Sequence, residues 1–114
     1  MKQFMYLLRG GDSMDSFSPE EMEAHMGKWK KWMGGLAEQG KLTGGLPLAK
    51  GEGKQVVKNG TLVIDGPFAE GKEVVGGYLI VNVENMEEAI EISKGCPIHE
   101  GPDANVEIRE ILDM

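Results

Sequence analysis

Cysteine is nearly missing from this chain: Cys96 is the single one among 114 residues. No disulfide can form within the chain, so a covalent framework contributes nothing to its stability, and nothing in this usage calls for an oxidising compartment. Long hydrophobic runs are missing too. The N-terminal apolar run from Phe4 to Leu8 falls far short of the ~20 residues a membrane span needs, and it is too short for a signal peptide. The cytoplasm is therefore the default expectation, with no membrane association. Positive charge is in deficit, with 12 Lys and Arg against 19 Asp and Glu and a net charge of -7. A chain so acidic repels phosphate backbones, so nucleic acid is not an expected partner. The densest cationic stretch, Lys28, Lys30 and Lys31, lies between tryptophans in a helical segment and reads as a solvated face. There is no phosphate-cradling glycine loop, no dinucleotide fingerprint and no serine elbow. Cys96 and His99 are too few to hold a metal ion. No cofactor is expected.

What is present suits one soluble domain with a single core, at 40% hydrophobic and 27% charged residues. Residues Gln3 to Leu8 are almost uniformly apolar, as in a central strand buried on both faces. Ser18-Pro19-Glu20-Glu21 is a helix start: Ser18 caps, Pro19 suits the first helical position and Glu21 completes a capping box. Met22, Met26, Trp29, Trp32, Met33 and Leu36 then recur at helical spacing, predicting a long amphipathic helix that Gly40 stops. Lys41 to Leu48 reads as an edge strand closed by Pro47. Asn59-Gly60, between Gln55–Lys58 and Thr61–Ile64, predicts a hairpin. Val74 to Val83 is the longest strand-like run, and Gly76-Gly77 inside it predicts a bulge or a close backbone approach. Asn85 caps a second helix with Met86, Ala89, Ile90 and Ile92 facing inward. Gly95 and Pro97 end it, and a last strand carries Val106 and Ile108.

This order predicts an α+β, ferredoxin-like antiparallel sheet with two helices on one face. The other face needs a partner, and two such sheets facing each other would close a barrel-like homodimer. The loop Asp65-Gly66-Pro67-Phe68-Ala69-Glu70-Gly71-Lys72-Glu73 lies between two strands, where a sharp turn gathers charged and ring residues at one sheet end.

The run Asp65-Gly66-Pro67-Phe68-Ala69-Glu70 with Lys72-Glu73, then Gly77-Tyr78, Gly95-Cys96-Pro97 and Val106-Glu107-Ile108-Arg109, resembles the YCII-related family. More narrowly it is similar to the branch named for its Asp-Gly-Pro-Phe signature. The resemblance spans nearly the whole chain. It implies a ferredoxin-like fold pairing into a dimeric α+β barrel. The wider family includes members regarded as small enzymes on aromatic or quinol-like compounds. Gly71 and Glu110 depart from the branch pattern, and neither change removes a candidate functional group.

Each candidate residue has a bland reading beside the functional one. Asp65 is a candidate general base or substrate anchor, or else it fixes the Gly-Pro turn through an Asx interaction. Glu70, Lys72 and Glu73 form either a charged pocket rim or solvated loop charges. His25 falls inside the apolar stripe of the first helix, as a proton carrier or as a satisfied core histidine. Trp29 and Trp32 either stack on a flat ligand, with Phe68 near the loop, or fill the core. Arg9 and Arg109 either clamp a carboxylate or pair across strands with Glu107 or Glu110. Cys96, at a helix C-terminal end, reads as buried and inert.

The leading expectation is a homodimeric small-molecule-binding protein, whose chemistry, if it is an enzyme, is cofactor-free acid–base chemistry on a small cyclic or aromatic compound. Asp65 and His25 are its catalytic candidates, and Trp29, Phe68, Glu70, Lys72 and Arg109 its binding candidates. The alternative is a non-catalytic dimeric interaction module whose loop is structural. The enzyme reading requires a partly polar cavity beside His25 or Asp65.

Overall fold

The computed structural model describes residues 1–10, 17–49, 53–65, 74–101 and 103–114. The chain runs β1 (Lys2–Arg9), α1 (Pro19–Glu38), β2 (Leu42–Pro47), β3 (Lys54–Val57), β4 (Leu62–Asp65), β5 (Val75–Val83) and α2 (Met86–Ser93). A 3-10 turn (Pro97–Glu100) and β6 (Asn105–Glu110) follow. It is an α+β architecture with a four-stranded antiparallel sheet in the order β2-β5-β1-β6, and β3 pairs with β4 in a separate two-stranded sheet.

Side chains on a strand alternate between faces, and the register here stacks the fully buried apolar ones on one side. Phe4 lies opposite Val81, Tyr6 opposite Leu79 and Ile108, and Leu8 opposite Val106. Phe4, Tyr6, Leu8, Leu79, Val81 and Val83 are buried there, under Met22, Trp29, Trp32 and Met33 of α1 and Ala89 and Ile92 of α2. Each of the fully buried side chains contributes about 1.5–3 kcal/mol. The Tyr6 hydroxyl donates to the Ala89 carbonyl at 2.5 Å, tying sheet to α2. Burial drives that phenol well above its ordinary pKa, so it stays a donor.

The expectation that β1 is buried on both faces is half right. Its second face, with Met5 and Leu7, is only half-buried, as are Tyr78 and Ile80 of β5 beside them. The molecule is 18 Å across its shortest axis, room for one helix layer on one sheet.

The helix signals hold. Ser18 accepts from the Glu21 N–H at 3.1 Å, and the Glu21 carboxylate accepts from the Ser18 N–H at 3.0 Å. Asn85 caps α2 by accepting from the Glu88 N–H. The inward stripe of α1 passes through His25, however, leaving Met26 exposed, and Met86 and Ile90 of α2 are exposed as well. Gly76 is the bulge, since the register slips between Leu8 opposite Gly77 and Arg9 opposite Val75. Gly77 also meets β2 so closely that a Cβ would lie 3.2 Å from the Leu46 carbonyl oxygen. The hairpin forms, but its loop spans four residues because Val57 pairs with Leu62. Lys58, Asn59 and Gly60 all take positive φ, so the left-handed turn begins one residue before Asn59-Gly60.

Candidate functional site

The helical period that buries Leu36 and half-buries Trp29 also carries His25 inward, where it is only 4% exposed. Pro97 opens the 3-10 turn opposite it, and buried Pro97 and Ile98 anchor that turn in the core. One residue beyond His99, the turn delivers Glu100. Glu100 Oε1 lies 2.5 Å from His25 Nδ1, and Lys28 Nζ, one turn along α1, donates to Glu100 Oε2 at 2.7 Å. On the other side of the ring, Trp29 Nε1–H donates to His25 Nε2 at 2.9 Å. Phe17 meets the imidazole edge-on at 5.5 Å between centroids, and Trp29 in turn meets Trp32 at 5.8 Å. The bonds from Lys28 and His25 hold the Glu100 carboxyl below the usual carboxylate range.

Glu100 and Lys28 also line an open groove of about 700 Å³ between α1 and the Gly95–Glu100 segment. Trp32, Leu36 and Pro97 supply apolar wall, and Lys31 adds a second ammonium. Cys96 is in its lining too, but 2% exposed, with burial pushing its thiol up to about 11. At neutral pH it is a protonated, shielded thiol and a poor nucleophile. His99 is held by its Nε2–H, which donates to the Ser93 carbonyl at 3.0 Å. The arrangement suits proton exchange with a small ligand: a carboxylate reachable from a mixed polar and apolar groove, backed by an imidazole and flanked by cations. Among the described residues no cluster of three or more His, Cys, Asp or Glu has metal-binding spacing.

The sequence candidates fall in three places. His25 and Trp29 are joined in the cluster just described. Asp65 ends β4, with its side chain 68% exposed and paired with Lys54 across the hairpin, and it makes no hydrogen bond to His25. Arg109 lies on the sheet face away from the helices, where Glu107 sits between Arg9 at 2.8 Å and Arg109 at 3.5 Å. Phe68, Glu70 and Lys72, with the rest of the Gly66–Glu73 loop, lie outside the described residues. Sequence reasoning missed Glu100. Seventy-five residues separate it from His25, so no local spacing announces the pair.

The sequence model of the YCII-related domain matches residues 3–114. The chain belongs to the YCII-related family. Among solved structures, this YCII-related chain is similar to 5-chloro-2-hydroxyhydroquinone dehydrochlorinase from Burkholderia phenoliruptrix AC1100, in complex with 2,5-dihydroxybenzoquinone. The likeness has a TM-score of 0.55 at 16% identity, covering 100% of this chain and 96% of that one. It speaks for a shared fold. No curated protein matches the sequence. Among the described residues of this YCII-related protein, no helix is long and apolar enough to cross a membrane.

Proposed function

We propose that this protein is a cytoplasmic, cofactor-free acid–base enzyme of the Asp-Gly-Pro-Phe branch of the YCII-related family, acting on a small cyclic or aromatic compound. Its sheet is the ferredoxin-like half of a homodimeric α+β barrel. The single observation that carries the reading is the His25–Glu100 pair, an imidazole and a carboxylate 2.5 Å apart at the edge of a groove large enough for a ring compound. Of the two catalytic candidates, His25 has Glu100 beside it, a residue not among the sequence candidates, and Asp65 lies apart at the end of β4, paired with Lys54. The ring compound in the similar dehydrochlorinase supports the choice of substrate class.

Acid–base chemistry next to a carbonyl or on an activated ring exchanges C–H hydrogen with solvent. The test is to incubate the full chain in D₂O with 2,5-dihydroxybenzoquinone and a panel of hydroxylated cyclic ketones, following ring C–H signals by proton NMR. Exchange above the buffer rate is expected for at least one compound, falling by about 10²–10⁴ in Glu100→Gln. Should no compound exchange and none shift the protein's signals, the acid–base reading is wrong.

One observation favours the second reading, a non-catalytic dimeric module. His25 is 4% exposed with both ring nitrogens already bonded. Under that reading the cluster only joins α1 to the 3-10 turn, and Glu100→Gln lowers stability while the same ligands leave every signal unmoved.

A further inference from the structure

We infer that Trp29 locks His25 in the tautomer protonated on Nδ1, which makes His25 a positioning donor and Glu100 the proton-accepting group that the site turns toward a ligand. An indole N–H only donates, so the 2.9 Å bond from Trp29 Nε1 makes His25 Nε2 an acceptor. A neutral imidazole has one donor and one acceptor nitrogen, so the proton sits on Nδ1 and is donated to Glu100 Oε1 at 2.5 Å. A second proton on Nε2 would set two donors face to face. Relieving that means turning the Trp29 indole, which is held edge-on between His25 at 6.3 Å and Trp32 at 5.8 Å.

The charged groups facing the imidazole are Glu100 from the 3-10 turn and, through it, Lys28 from α1. Phe17, ahead of α1, brings only a ring edge. His25 thus presents no unoccupied nitrogen, whereas the Glu100 side chain is 33% exposed and lines the groove. In a deprotonation, a ligand C–H or O–H gives its proton to Glu100 Oε2, which lets go of Lys28. The ligand's anion is left beside the freed ammonium. This step rests on the acid–base reading above; the tautomer does not.

The chain holds two histidines, and the second serves as an internal control. His99 Nε2 faces a carbonyl, which only accepts, so His99 is protonated on Nε2. Nitrogen-15 NMR of the labelled full chain at about pH 8.5, above the ordinary imidazole range, should show one imidazole of each tautomer. The Nδ1–H signal should vanish in His25→Gln. Glu100→Gln removes the carboxylate, which by itself would also hold the proton on Nδ1, so the Trp29 bond alone should keep it there, with His99 unchanged. Finding His25 protonated on Nε2 in the wild type or in Glu100→Gln overturns the inference. If Glu100→Gln fails to fold, a coupling across the hydrogen bond between Trp29 Nε1 and His25 Nε2 in the wild type decides it, and its absence is fatal. With the tautomers as stated but no ligand exchange, only the acid–base reading falls.

Discussion

Two donors converge on the Glu100 carboxylate, the Lys28 ammonium and the His25 ring N–H, and both favour its charged form. Its folded pKa therefore lies below its unfolded value. The stability it confers is present above the unfolded carboxylate range and is lost as pH falls through the folded value. Melting temperatures of wild type and Glu100→Gln, measured from pH 7 downward, should differ at neutral pH, and the difference should shrink as pH falls below the ordinary glutamate value of about 4.3. A constant difference down to acid pH would mean that the two bonds carry no charge-dependent stabilisation. Cys96 shows the opposite displacement for a different reason, the burial of its thiol. With its pKa at about 11, the thiolate fraction at pH 8 is roughly two orders of magnitude below that of a free cysteine. Alkylation by iodoacetamide should be slower by at least that factor in the folded chain and return to the ordinary rate in denaturant. Fast labelling of the native protein would refute this placement of the thiol.

The elements read most faithfully from sequence are those whose determinants sit a few residues apart. Ser18 and Glu21 are three apart, and their reciprocal bonds form whatever the rest of the chain does. The Asn85 cap and the Gly76 bulge are equally local. Ser18→Ala removes one half of the capping box and should cost about 1 kcal/mol, a drop of roughly 4 °C in melting temperature. Ser18→Asp should restore most of it. The hairpin shows where local signals give out. Asn59-Gly60 announced a turn but not its register, which the pairing of Val57 with Leu62 sets instead. The site shows it more sharply. Asp65 stood out because glycine, proline and charge cluster around it within nine residues. Glu100 carries no such mark, and it becomes His25's partner only because the core draws Pro97 and Ile98 down beside α1.

At the scale of the molecule, the sheet face away from the helices is where one chain stops explaining itself. The register brings Met5, Leu7, Tyr78 and Ile80 together there, with Leu46 at the edge of β2 opposite Tyr78. These side chains are apolar and only half covered, apart from Leu46, which is exposed. Arg9, Glu107 and Arg109 border the patch with a charged row. An apolar centre inside a polar rim is the build of an association surface, and in the homodimer proposed above a second copy with the same sheet would meet it with matching chemistry. Light scattering at about 50 μM, where an ordinary dimer of ~800 Å² per partner is formed, should return twice the protomer mass of 12.4 kDa. Ile80 is the position to break. It sits mid-strand on β5 opposite Met5, and its side chain reaches over Gly44, whose added Cβ would lie 3.7 Å from Ile80 Cδ1. Ile80→Lys places an ammonium at the centre of both facing patches, where each would be desolvated against its copy. That variant should run at the mass of one protomer with its circular dichroism unchanged, since the core on the helix side is untouched. A wild type that already weighs one protomer would leave the apolar face without the occupant proposed for it, and with it the barrel.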